Sequence, residues 1–66
     1  MSVMKVIEVM ADSSKSWEDA TRNAIERASK SVDNIASAWI KDQSVGVDDG
    51  KVTKYRVTLK VSFEVK

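Results

Sequence analysis

Few side chains in this 66-residue sequence can do chemistry, and their identities narrow what that chemistry is. Histidine and cysteine are both absent. The commonest general base and the strongest neutral-pH nucleophile are therefore missing, and no zinc site of thiolate or imidazole can form. The remaining candidates are two tryptophans, Trp17 and Trp39, the carboxylates of Asp42, Asp48 and Asp49, and a basic series at Lys54, Arg56 and Lys60. No group of Ser, Lys, Tyr, Asp and Glu has the spacing of a catalytic motif. The expectation is a protein that binds, not an enzyme.

Trp39 lies among small and polar residues in "DNIASAWIKDQ". Tryptophan is enriched at interfaces and stacks on planar ligands, so Trp39 packs a subunit contact, stacks a flat molecule, or stays partly exposed with no partner, the first being the stronger reading. Asp48-Asp49-Gly50 looks like a fragment of a calcium loop, but the further ligands and the terminal glutamate are not in place. A hairpin turn is the stronger reading. In a symmetric assembly, Asp42, Asp48 and Asp49 could still meet across an axis and hold a cation. Lys54, Arg56 and Lys60 could draw in an anionic ligand or simply be solvated. Thr58, Ser62 and Glu64 dilute them too far for nucleic acid, and the net charge is only +1.

These residues need elements to position them. Residues 3–10, "VMKVIEVM", read as a strand partly buried on both faces. Ser16 is placed as an N-cap, with Trp17 first in the helix and Asp19 completing a near capping box. Trp17, Ala20, Ala24, Ile25, Ala28 and Val32 recur in steps of three and four, which predicts an amphipathic helix to about Ser31. Its stripe of alanines suits close approach to a sheet, and Trp17 is expected to pack there or on a neighbour. Asp33-Asn34 marks a turn. In "KYRVTLKVSFEVK" the odd positions Tyr55 to Val65 are apolar and the even ones polar, a period of two that predicts a long strand. "VDDGK" supplies an Asp-Gly hairpin turn, so Ile35 to about Val45 is its partner strand. The fold class is α+β, a single domain over 1–66 in the order β-α-β-β.

Strands of ~11–13 residues span roughly 35–43 Å, whereas a helix of ~15 residues spans about 22 Å. One helix cannot cover such a hairpin, and uncovered apolar sheet predicts an oligomer. A chain this short also has a thin stability margin and no disulfide to help. In the partner strand, alternation puts Ile35, Ser37, Trp39, Lys41 and Gln43 on one face. Ala36, Ala38, Ile40 and Asp42 fall on the other, toward the helix. The first ten residues lack the features of a signal peptide, and no run is apolar enough to span a membrane, so a soluble, cytoplasmic protein is expected.

The element order together with "KVIEV", "AIERA", "SVDNI", "DQSVGV" and "YRVTLKVSFEV" resembles the dodecin family over nearly the whole chain. The resemblance implies a three-stranded antiparallel sheet partly wrapped around one helix, assembled as a hollow homododecamer that stores or buffers flavin (riboflavin, FMN or FAD). It also implies a flavin site. The family's stacking tryptophan falls at Ser37, its flavin-bonding glutamine at Arg56, and its acidic residue near the ribityl chain at Asp42. Two of these three positions depart from the pattern, so weakened or altered flavin binding is expected. Trp39, two residues on, and Gln43 beside it are candidates to reshape the pocket, and Arg56 could meet a phosphate or a carbonyl edge. Family members without the tryptophan are associated with calcium, which makes a cation-binding or purely structural cage the alternative.

Overall fold

The computed structural model describes residues 2–66. Strand β1 covers Val3–Ser13, helix α1 Trp17–Ala28, strand β2 Ile35–Asp48 and strand β3 Lys51–Val65. All three strands pair antiparallel in the order β1-β3-β2, so the most regular strand of the sequence is the central one. Its odd residues make the core. Val57, Leu59 and Val61 are wholly buried, with Ala20 and Ala24 of the helix against them. Ile7, Val9, Ala11, Ile35 and Ala38 close the sides of this cluster.

Local chemistry explains the boundaries. The Ser16 side chain accepts the Asp19 amide at 3.0 Å, as a cap should. The second half of the capping box is different: Asp19 does not reach back to the Ser16 amide. Its carboxylate accepts Ser13 Oγ at 2.6 Å, and Ser13 Oγ in turn accepts the amides of Lys15 and Ser16. The end of β1 is thereby tied to the start of α1. The helix stops at Ala28, short of the expected Ser31, because the chain tightens into i to i−3 bonds from Lys30 to Arg27 and Ser31 to Ala28. Asn34 then adopts the left-handed conformation, φ 63°, which asparagine tolerates better than most residues. At the hairpin, Asp49 and Gly50 both have positive φ, 51° and 74°. That is the backbone a two-residue turn between twisted strands demands, and it identifies Asp48-Asp49-Gly50 as the turn.

The helix lies over β1 and β3 and hardly touches β2. Trp17 ties the helix start to the sheet: its ring meets Tyr55 edge-on at 5.2 Å, and its indole N–H donates to the Ser44 carbonyl at 3.0 Å. The expectation that Trp17 packs on the sheet is met. The rest of the hairpin stands clear, and the molecule is 51 Å long but only 19 by 14 Å across. Its radius of gyration is 13.5 Å, against about 11 Å for a compact domain of this length. Ile40, Val45, Val47 and Val52 are exposed along it. No helix among the described residues is long and apolar enough to cross a membrane.

Leu59→Ala opens the centre of the core, whereas Ser16→Ala removes one cap at the helix start. The first is expected to cost about 2–5 kcal/mol and the second about 1 kcal/mol. Urea midpoints at fixed protein concentration measure both, and equal losses would contradict this core.

Candidate functional site

The sheet has a second face, turned away from the helix, and the candidate residues are distributed by it. Pairing across β3 builds four successive rows: Val6–Ser62–Ser37, Glu8–Lys60–Trp39, Met10–Thr58–Asp42 and Asp12–Arg56–Ser44. Rows are two residues apart, roughly 6.6 Å along the strands. Ser37, Trp39, Asp42 and Arg56 therefore share this outer face, while Asp48 and Asp49 sit at the hairpin tip.

Two β-bulges decide this and correct the simple alternation. Between Ile35 and Ser37, and again between Ile40 and Asp42, β2 carries one residue more than β3. The first bulge, at Ala36, puts Ile35 beside Phe63 on the helix face, not on the face of Trp39. The second, at Lys41, turns Asp42 outward beside Thr58, where alternation had placed it toward the helix. Gln43 goes the opposite way. It pairs with Val57 on the helix face and lines a shallow recess with Trp17, Thr21 and Ile40. Gln43 is thus separated from Trp39 by the thickness of the sheet.

Each outer-face position has a distinct environment. Ser37 and Ser62 join hydroxyl to hydroxyl at 2.6 Å. Ser62 Oγ also donates to the Ser37 carbonyl at 3.2 Å, so the Ser37 hydroxyl is the donor in the shorter bond. Trp39 remains 49% exposed. Beside it Lys41 Nζ donates to Glu8 Oε1 at 3.2 Å across the central strand. Both ends of that pair are half exposed, so it fixes geometry more than it stabilises. Asp42 makes no side-chain hydrogen bond or ion pair among the described residues. Nor do three acidic side chains come together anywhere among them, so Asp42, Asp48 and Asp49 do not form a site within one chain. Asp42 and Asp48 are six residues apart on one strand, roughly 20 Å.

Arg56 is the most constrained of the set. Its Nε donates to Asp12 Oδ1 at 2.6 Å and its Nη2 to Asp12 Oδ2 at 3.0 Å, a two-pronged guanidinium–carboxylate pair. Lys54 Nζ lies 4.0 Å from the same carboxylate. Sequence reasoning missed Asp12, because the first strand was expected to end at Met10. It continues to Ser13, and the antiparallel register sets Asp12 opposite Arg56.

The hydrogen bond from Arg56 holds the Asp12 carboxyl below its ordinary value of 3.8, partly offset by desolvation and reinforced by the charges of Arg56 and Lys54. A depressed folded value means that the pair stabilises the fold in full above the unfolded aspartate pKa. That contribution is lost as pH falls through the folded value. A carbon-detected NMR titration of Asp12 is expected to give a midpoint below 3.8 that Arg56→Gln moves back up. A midpoint indifferent to Arg56→Gln would contradict the pair.

The family model described as Dodecin matches residues 3–66. Calcium dodecin from Mycobacterium tuberculosis is 46% identical over 67 residues, covering 100% of this chain and 93% of that protein. Among solved structures, dodecin from Streptomyces davaonensis superposes with a TM-score of 0.93 at 26% identity, covering 98% of this chain and 96% of that one. A crystal structure of the Mycobacterium tuberculosis calcium dodecin, described as having a novel calcium-binding site, gives 0.83 at 43% identity, covering 97% and 91%. Element order, sheet order and helix placement agree with the sequence match along its whole length: this chain belongs to the dodecin family.

Proposed function

We propose that this chain is a non-catalytic subunit of a hollow homododecamer that holds divalent cations, calcium foremost, at sites shared between copies. The observation that carries this reading is the state of the two positions where the family resemblance expects flavin contacts. Ser37 offers no ring, and its hydroxyl is bonded to Ser62. Arg56 has its donors turned onto Asp12. Loss of a stacking face alone weakens binding of a flat ring by about 1–3 kcal/mol, or roughly ten- to a hundredfold. The 46% identity to a calcium dodecin favours the same reading. Backbone similarity points the other way, with the higher TM-scores going to other dodecins. We give it less weight, because ligand choice lies in side chains that a common backbone can carry in either form.

Calcium takes 6–8 oxygen ligands. One chain alone does not fit such an ion, since no three acidic groups converge among the described residues. A site shared around a symmetry axis needs only one free carboxylate per copy. Asp42 qualifies, being exposed on the outer face without a partner among the described residues. Asp48 and Asp49, at the hairpin tip, would serve a separate site. Binding without catalysis fits the one close hydroxyl pair among the described residues, Ser37–Ser62, whose hydrogen bonds include no basic group to activate it. The cytoplasm is the compartment we propose, since the chain has no cysteine to oxidise.

A second reading, weak flavin binding, is favoured by one observation: Trp39 is half exposed on the outer face, one row from Ser37. Two titrations separate the readings. Calcium is expected to raise the thermal midpoint in a saturable way, and Asp42→Asn to weaken calcium binding at least tenfold. A midpoint indifferent to calcium and EDTA would defeat the cation reading. Flavin fluorescence is expected to stay unquenched at tens of micromolar protein, whereas quenching abolished by Trp39→Ala would establish the flavin reading instead.

A further inference from the structure

The outer face carries a cleft of about 270 Å³ between β2 and β3, toward the hairpin tip. Ser44, Gly46, Thr53, Lys54 and Arg56 are among its walls. Lys54 and Arg56 are two residues apart on β3, so two cationic side chains emerge on the same side of the strand. Gly46 keeps the floor low: a Cβ there would come within 2.7 Å of Lys54 Cγ. Two cations over an open floor, with the Ser44 and Thr53 hydroxyls beside them, suit a small multi-oxygen anion. Yet the Arg56 guanidinium is directed at Asp12, and Lys54 approaches the same carboxylate.

We propose that Asp12 is a built-in competitor for a phosphate-class anion site formed by Arg56 and Lys54. A carboxylate and a phosphate present the guanidinium with the same paired oxygens at similar spacing. The one attached to the chain is always at high effective concentration and neutralises one of the two positive charges. In the native chain Asp12 occupies Nε and Nη2 of Arg56, so phosphate must compete with it for the guanidinium. Removing the Asp12 charge leaves two cations without a counter-ion and the donors free. Exposed ion pairs contribute little to folding, so this change leaves the fold in place. The assignment shares the Arg56–Asp12 pair with the cation reading but uses none of Asp42, Asp48 and Asp49, so the two can fail separately.

The test is phosphorus NMR of inorganic phosphate titrated with the assembled protein in chloride buffer containing EDTA. Asp12→Asn, nearly isosteric, is expected to bind phosphate at least tenfold more tightly than the native chain, and Asp12→Ala to do the same. Asp12→Asn combined with Arg56→Gln is expected to lose the gain. Circular dichroism checks that each variant is folded. Equal affinity in the native and Asp12→Asn proteins, or a gain that survives Arg56→Gln, would overturn the proposal. Riboflavin and FMN, which differ by one phosphate, identify what the cleft reads. A gain for FMN alone supports a phosphate site. A gain for both, or for neither, contradicts it.

Discussion

The structure depends on a mismatch of lengths. A helix of 12 residues, roughly 18 Å long, packs on the sheet of a molecule 51 Å long. Where the helix lies, β3 is buried as in any larger protein, with Val57, Leu59 and Val61 closed to solvent. Where it does not, apolar side chains stay open. The exposed surface, 4858 Å², exceeds the ~4200 Å² of a compact chain of this mass. With no disulfide to compensate, the open hairpin can be covered only by further copies. Assembly is therefore a condition of stability.

The same central strand separates two tasks. Its odd residues make the core, and its even residues anchor four rows of an outer face that the helix never sees. On that face polar groups largely satisfy one another: Ser37 with Ser62, Glu8 with Lys41, Asp12 with Arg56. Among the described residues, Trp39, Asp42 and Lys60 are the candidates on that face left without such a partner. The rows also explain why Arg56 is not a simple replacement for a hydrogen-bonding glutamine. Glutamine is neutral, whereas a guanidinium opposite Asp12 is charged and binds it with two hydrogen bonds.

Much of the fold was legible in the residues. The alternation from Tyr55 to Val65, the Ser16 cap, the alanine stripe of α1 and the Asp-Gly turn each have a local cause, and each appears where expected. The site was less legible, because it depends on register. Ala36 and Lys41 carry no bulge signature: one is small, the other flexible, and either sits equally well in a regular strand. Each bulge shifts the parity by one, and simple alternation put Ile35, Asp42 and Gln43 on the wrong faces. Asp12 escaped notice for a related reason. Its partner is 44 positions away, and only the β1–β3 register brings them together. Complementary charges at the ends of two long strands were the one available signal.

The most direct test of the central claim is native mass spectrometry across a dilution series. An assembly of twelve 7.3 kDa chains, with no folded monomer appearing on dilution, is the predicted result. A folded monomer at micromolar concentration would contradict it, because the uncovered hairpin would then be stable alone.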